Sequence, residues 1–356
     1  MTLGSEQYKR LSSSIASQDD VAILSLLKDA ISMHEGVGGS SSLLKIDGQT
    51  IFVKKIPLTD LERRSENILS TKNLFGLPLF YQYRLGSTGF GVWRELAAHQ
   101  QSTEWVLSGA CTCFPVLYHW RVVETEKAPP MTVEEIESLN STVAYWDNSI
   151  AIRHRLEALH SASAHLVLFC QYIPQTLHDW LASELMAGED RADNAVLLVE
   201  REITSSSAFF NANGFVHFDA HFQNILCDGK LYYSDFGLAL SDQFDLSQDE
   251  LEFLHSHHSY DRCVAAVSLI QSLMQHLYGP SEEKRRWSDH LRTFIDDTEV
   301  KPAGTSAVIE ETIRRYAPLA LTLSDFYQQL HKVSKSTLYP AQQLDRLLEE
   351  VTAHKL

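Results

Sequence analysis

The sequence predicts an α+β fold in two unequal lobes, the first built on an antiparallel sheet and the second mainly helical. Three observations predict it. β-prone runs separated by turn residues concentrate before about residue 175. Helical apolar spacing dominates after that point. The chain has 356 residues, 44% of them hydrophobic, which suits two domains or one two-lobed domain and exceeds a single small core.

Residues 1–35 read as a helical lead-in. Asp19 and Asp20 sit at an N-cap, and Val21, Leu24, Leu27 and Ile31 follow helical spacing. A small-residue loop, 36–42, runs into Leu43–Ile46, then Asp47-Gly48, then Thr50–Ile56; Asp-Gly between two β-prone runs predicts a hairpin. Residues 58–92 are mixed and polar, with turn signals at Gly76-Leu77-Pro78 and between Gly86 and Gly91. Trp93, Leu96, Ala97 and Val106 fit a helix on which Glu95 and His99 stand one turn apart.

Cys113–Val123 reads as a strand pair or one long strand, and Ala128-Pro129-Pro130 as a break. Val133–His160 is mostly helical, acidic early (Glu134, Glu135, Glu137) and basic late (Arg153, Arg155), in keeping with the helix dipole. His165–Ile173 is an apolar strand ended by Pro174, and Thr176–Leu185 a new helix. From Asp193 helices dominate, interrupted by short strands and loops over Gly214–Leu240, and the tail 281–356 reads as helices around Pro302, Pro318 and Pro340. The expected division is a helical extension at 1–35, a first lobe at 36–172 with insertions near 58–92 and 124–160, and a helical second lobe at 173–356 carrying the catalytic loops.

Forty-six acidic against 30 basic side chains leave a formal charge of −16. Such a chain lacks the basic footprint that displaces counterions, which argues against nucleic acid or an anionic membrane as partner. No apolar run approaches the ~20 residues that span a bilayer, and Met1–Arg10 carries no signal pattern. Five scattered cysteines suit a reducing compartment, so the expected location is cytoplasmic.

The most informative segment is His217-Phe218-Asp219-Ala220-His221-Phe222-Gln223-Asn224, followed by Asp235-Phe236-Gly237. Asn224 and Asp235 on neighbouring loops are oxygen ligands suited to Mg²⁺, with phosphate oxygens completing the shell. Asp219 is a third group placed to orient a hydroxyl nucleophile. Upstream glycines let backbone approach phosphates, and a strand lysine supplies a point charge for them.

In order and spacing these motifs resemble the protein-kinase-like superfamily, over roughly Gly36 to Asp261. The resemblance implies a bilobal protein-kinase-like fold and an ATP- and Mg²⁺-dependent phosphotransferase, with Mn²⁺ as an alternative ion. It implies that Asp219 handles the acceptor proton, that Asn224 and Asp235 hold the metal, and that Lys54 binds the α- and β-phosphates. Lys55 is the runner-up but points to the other face of its strand. Gly36, Gly38, Gly39 and Ser40 match the phosphate-covering loop, although Ser41 stands where a third glycine belongs. Gln171 and Tyr172 match the connection that holds adenine, and Asp261 the buried aspartate that braces the catalytic loop. Glu95 is favoured as the partner of Lys54 over the nearer Glu62 and Glu66, because its helix has an apolar face.

Three departures bear on the acceptor. Phe218 precedes Asp219 where kinases switched by phosphorylation carry arginine. His221, counted here with the catalytic set, stands where protein kinases carry lysine, as in aminoglycoside and choline kinases. Only 26 residues separate Asp235 from Asp261, and no Ala-Pro-Glu follows. The leading expectation is a protein serine/threonine kinase; the alternatives are a small-molecule kinase and a nucleotide-binding pseudokinase.

Asp242, Asp245, Asp249, Glu250, Glu252 and Asp261, with no basic residue among them before Arg262, read as a solvated face ahead of a docking surface for a basic substrate. His255, His257 and His258, and Cys111-x-Cys113, are weak metal signals. Ser40, Ser41 and Ser42 are autophosphorylation candidates by proximity alone.

Overall fold

The computed structural model describes residues 5–36, 39–279, 284–296 and 305–353. In chain order the elements are α1 (Ser5–Ala16), α2 (Asp20–Lys28), β1 (Ile31–Gly36), β2 (Gly39–Ile46), β3 (Gln49–Leu58), α3 (Val92–Ser108), β4 (Leu117–Glu124), α4 (Val133–Tyr145), α5 (Ile150–His160), β5 (Ala164–Gln171), α6 (Leu177–Met186), α7 (Glu189–Ala212), β6 (Phe215–Val216), β7 (Ile225–Cys227), β8 (Leu231–Tyr233), β9 (Leu240–Ser241), α8 (Gln248–Ser256), α9 (Tyr260–Tyr278), α10 (Lys284–Asp296), α11 (Ala307–Lys332) and α12 (Ala341–Ala353). The fold is α+β. The chain divides into two compact units, Met1–Ile173 with Asp235–Leu251, and Pro174–Ser234 with Glu252–Leu356. No helix among the described residues is long and apolar enough to cross a membrane.

The first unit is a five-stranded antiparallel sheet in the order β1-β2-β3-β5-β4. Alternation along its strands sends side chains to two different cores. Ile51 and Val53 of β3 and Val167 and Phe169 of β5 pack with Leu11, Ile15, Ile23 and Leu27 of α1 and α2. Ile56, Leu58, Leu166, Leu168 and Cys170 pack with Val92, Trp93 and Leu96 of α3. The even positions of β3 therefore face α3, and Lys54 is one of them. Asp47 and Gly48 close the β2–β3 hairpin with φ of 50° and 77°, the doubly positive turn that suits the strand twist.

Several expectations are corrected. Ile31 leaves the helical lead-in and opens β1, paired with Leu43, because α2 is already capped at Asp29. Ser40, Ser41 and Ser42 lie in β2 rather than in a loop, paired with Lys55, Lys54 and Val53. Cys113–Val123 forms one strand from Leu117. Val133–His160 is two helices, parted at Asp147 and Asn148, which both take positive φ (54° and 56°), a conformation short polar side chains tolerate.

Residues 58–92 have little regular structure yet are well packed. Leu77, Tyr81 and Phe90 form a separate apolar cluster with Trp146 and Ile152, so the two insertions near 58–92 and 124–160 pack on each other. Tyr81 and Trp146 meet edge to face, 4.8 Å between centroids.

In the second unit α9 is buried almost all round, from Tyr260 to Met274, as expected of a central helix. α7 and α11 pack on it. Glu200 of α7, itself buried, accepts from Tyr316 Oη (2.9 Å) and Arg315 Nη2 (2.8 Å) of α11. Pro318 lies inside α11 rather than between helices.

Candidate active site

In the first unit the chemistry gathers on Lys54. Its Nζ donates to Glu95 Oε1 at 2.6 Å and to Asp235 Oδ1 at 2.8 Å. Glu95 is buried and the Lys54 side chain is 12% exposed, while the Asp235 side chain is 47% exposed. Parity on β3 points Lys54 at α3, and the stripe 92, 95, 96, 99 on α3 returns Glu95 to it. Burial works against the Lys54 charge, but Asp235 and Glu95 outweigh it and hold the pKa above the usual lysine range. Glu66 is exposed and takes no part.

Asp235 itself has φ 63° and begins a tight turn, accepting from the Gly237 amide at 3.4 Å. Phe236 is fully buried against His99 of α3 (4.6 Å, edge to face) and Phe114 (5.8 Å). Gln82 Nε2 donates to the Leu238 carbonyl. Gly89 (φ 71°) backs the turn so closely that a Cβ there would lie 2.2 Å from the Gly237 oxygen.

In the second unit the loop 217–224 carries Asp219, His221 and Asn224. Asn224 Nδ2 donates to Asp219 Oδ2 at 2.8 Å, and His221 Nε2 lies 3.5 Å from Asp219 Oδ1. His221 Nδ1 accepts from the Gln223 amide (3.2 Å), which leaves Nε2 to carry the proton of the neutral ring. His217, fully buried, accepts the Asp219 amide on Nδ1 (3.2 Å) and donates from Nε2 to the Ser234 carbonyl (2.9 Å). Ser234, whose amide and hydroxyl both donate to the Asn224 carbonyl (2.9 and 2.8 Å), is the residue before Asp235.

Phe218 has φ 62°, a strained value for an aromatic residue. Two forces hold it. Asp261 accepts from the amides of His217 (2.6 Å) and Phe218 (2.9 Å), and the Phe218 ring packs among Phe253, His257 and Tyr260 at 5.0–5.6 Å. Burial pushes the Asp261 carboxyl up to about 7, the two amides opposing and Asp219 adding to the rise.

Gly36 and Gly39 pair at the end of the β1–β2 hairpin, two residues from Ser41, the register partner of Lys54. A Cβ on Gly39 (φ 119°) would lie 2.1 Å from the Lys55 oxygen, so its glycine is required by the sheet whatever else it does. Ser40 belongs to β2, and Gly38 lies outside the described residues. Gln171 ends β5 and is tied to Val116 by its own amide (2.8 Å) and by Oε1 (3.4 Å). Tyr172 is half-buried just past that strand.

No three His, Cys, Asp or Glu side chains gather as a metal cluster among the described residues. A magnesium ion carried by phosphates asks for only one or two protein oxygens. Asn224 in the second unit and the half-exposed Asp235 in the first each carry an oxygen donor of the hard type that suits Mg²⁺ or Mn²⁺ better than a softer metal. The histidine cluster does not converge. His257 is buried, stacked on Phe253 (3.9 Å) and Tyr339 (4.4 Å) with its pKa pushed down to about 4 by burial, while His255 and His258 are exposed. Cys111 and Cys113 are not joined by a disulfide.

Sequence reasoning set aside two residues that shape the site. Glu62 is fully buried; its Oε1 accepts from the Val92 amide that begins α3 (2.8 Å), and its Oε2 accepts from the Thr59 amide (3.1 Å) and hydroxyl (2.6 Å) and meets Arg155 Nη1 (3.0 Å). Glu250 is buried against Arg94 at 2.6 Å, so the acidic run is not simply a solvated face. Thr59-x-x-Glu62 and Ser247-x-x-Glu250 are both capping-box spacings, a signal present in the sequence.

The chain matches no family model and no curated protein.

Proposed function

We propose that the chain is an ATP- and Mg²⁺-dependent phosphotransferase of the bilobal protein-kinase-like kind, with a protein serine or threonine as the leading acceptor. One observation carries the reading: the Lys54 ammonium is shared by Glu95 at 2.6 Å and Asp235 at 2.8 Å. A largely buried lysine held charged by two carboxylates is a preorganised point charge for phosphate oxygens. The braced loop with Asp219 hydrogen-bonded to Asn224 adds support.

In this reading Lys54 binds the α- and β-phosphates and Glu95 holds it in place. Backbone at Gly36, Gly39 and Ser40 covers the phosphates, and Gln171 and Tyr172 meet the adenine. Asn224 and Asp235 hold the metal ion, which supplies neutralisation of phosphate charge when bound. The acceptor oxygen bonds to the γ-phosphorus as the bridging P–O bond to ADP breaks, and the acceptor proton passes to Asp219. Catalysis is then positioning and electrostatics.

A second reading, a small-molecule kinase, is favoured by His221 beside Asp219 at 3.5 Å. A nucleotide-binding pseudokinase is the third. Incubation with γ-labelled ATP and Mg²⁺ separates them. Label on protein that disappears in Asp219→Ala supports the first. Turnover only with an added choline or aminoglycoside supports the second, and binding without transfer the third. Full transfer by Asp235→Ala would remove the metal assignment.

A further inference from the structure

The residue before Glu95 on α3 is Arg94, and its guanidinium is buried. Nη2 donates to Glu250 Oε1 at 2.6 Å and Nε to the Thr71 carbonyl at 2.6 Å, with the Phe90 ring 5.2 Å away. The second Glu250 oxygen accepts the Ser247 amide at 3.0 Å, where the helix begins. We propose that Arg94 and Glu250 are a resident latch that keeps Lys54, Glu95 and Asp235 assembled without phosphorylation of the segment after Asp235. The proposal rests on the phosphotransfer reading for its role and on the geometry of the first unit for its existence.

The segment 235–251 is pinned at both ends to one helix. At its start Asp235 shares Lys54 with Glu95, and Phe236 lies on His99. At its end Glu250 lies on Arg94. Between them the Asp245 amide donates to Thr71 Oγ1 at 2.8 Å, and Thr71 also takes the Arg94 Nε–H on its carbonyl. Arg94 and Glu95 leave α3 about 100° apart, so the segment straddles the helix. A buried pair of this kind is costly to break, because either partner alone is an uncompensated buried charge. The wild-type latch is therefore expected to stay closed most of the time.

A phosphate has no comparable seat in the segment. Its only hydroxyls are Ser241 and Ser247. Ser241 is fully buried, and Ser247 Oγ accepts the Glu250 amide at 3.3 Å. A phosphate on Ser247 would face the Glu250 carboxylate and repel it. The Glu250 carboxylate already occupies the Arg94 guanidinium that a phosphate could otherwise pair with.

The test uses the unphosphorylated 356-residue chain, verified by intact mass, as wild type, Glu250→Gln and Ser247→Ala. Glu250→Gln keeps the volume and the contact with the Ser247 amide while removing the charge. Two readouts need no nucleotide: hydrogen exchange of amides 237–245, and the rate at which an amine-reactive acylating reagent labels Lys54. Both are expected to rise roughly tenfold in Glu250→Gln and to stay within about twofold of wild type in Ser247→Ala. Arg94→Lys, a milder change, gives an intermediate effect. Unphosphorylated wild type transfers phosphate at the same rate before and after preincubation with ATP.

Unchanged exchange and labelling in both Glu250→Gln and Arg94→Lys overturn the latch. So does a phosphate in 235–251 that raises the rate. If the nucleotide-free readouts move as expected but wild type transfers nothing, the latch stands and the phosphotransfer reading falls.

Discussion

Asp261 accepts the backbone amide of Phe218 at 2.9 Å, and Phe218 is held with φ at 62°. The Asp261 side chain stabilises a backbone geometry that an aromatic residue disfavours, and it does so one residue before Asp219. Asp261 is 42 residues downstream in sequence, so the loop's shape depends on a helix that the chain forms later.

Replacing Asp261 with Asn is expected to change the pH dependence of stability. Burial raises the folded carboxyl to about 7, against an ordinary value near 4. Between those values the folded chain keeps a proton that the unfolded chain has released. The group's contribution is therefore fully present below about pH 4 and is lost as pH rises through about 7. Denaturant unfolding from pH 4 to 8 should show the wild-type minus Asp261→Asn difference falling by a few kcal/mol, then levelling. A difference that is flat or rises across that range would contradict the assignment.

Lys54→Met should destabilise and, on the phosphotransfer reading, inactivate. Without the ammonium, Glu95 is left buried beside Asp235, and burial together with that like charge raises its pKa. The variant should thus be most stable in acid, and its deficit against wild type should grow as pH rises from 4 to 7, reaching about 3–5 kcal/mol. Unfolding midpoints at the two pH values check this; an equal deficit at both would show that Lys54 is not carrying the carboxylates.

Glu62→Ala should lower stability by about 3–5 kcal/mol, because it strands the buried Arg155 guanidinium and uncaps α3 at Val92. Glu66→Ala, at an exposed position, should stay within about 0.5 kcal/mol of wild type. Thermal unfolding of the pair decides whether residues 58–92 are a load on the fold or a part of its core.

Gly89→Ala places a Cβ 2.2 Å from the Gly237 oxygen at a φ of 71°. A loss of about 1–3 kcal/mol is expected, with a displaced Asp235 turn and, on the phosphotransfer reading, reduced transfer. Gly86→Ala, where no atom lies within 4 Å of the new Cβ, shares the positive φ but not the clash, and should retain transfer. Parallel assays of the two separate backbone strain from displacement of the turn.

Much of the local structure was legible. The Asp47-Gly48 hairpin follows from turn chemistry, and the face of Lys54 from strand parity. Asp219-x-x-x-x-Asn224 and Asp235-Phe236-Gly237 are short-range patterns that survive any packing. What was illegible lies in packing. Residues 58–92 looked polar because Glu62 and Gln82 are polar; both are buried, and partners far along the chain, Val92 and Leu238, satisfy them. Glu250 was hidden in the same way, read as one acid among six although a buried arginine claims it.

The sequence by itself determined the Asp47-Gly48 hairpin and the kind of most elements, though not all of their ends, since backbone sterics and hydrophobic period act over a few residues. It also determined which residue types could serve phosphate chemistry, and their order. The apolar face of its helix already favours Glu95 as the partner of Lys54; the tertiary structure alone decided where Glu62 and Glu66 go. Glu62, Glu66 and Glu95 are alike in composition, but one is buried under the start of α3, one is in solvent and one faces the lysine. That choice turns on which apolar faces pack together across tens of residues, where burial sets the energy of a charge and no local pattern records its partner.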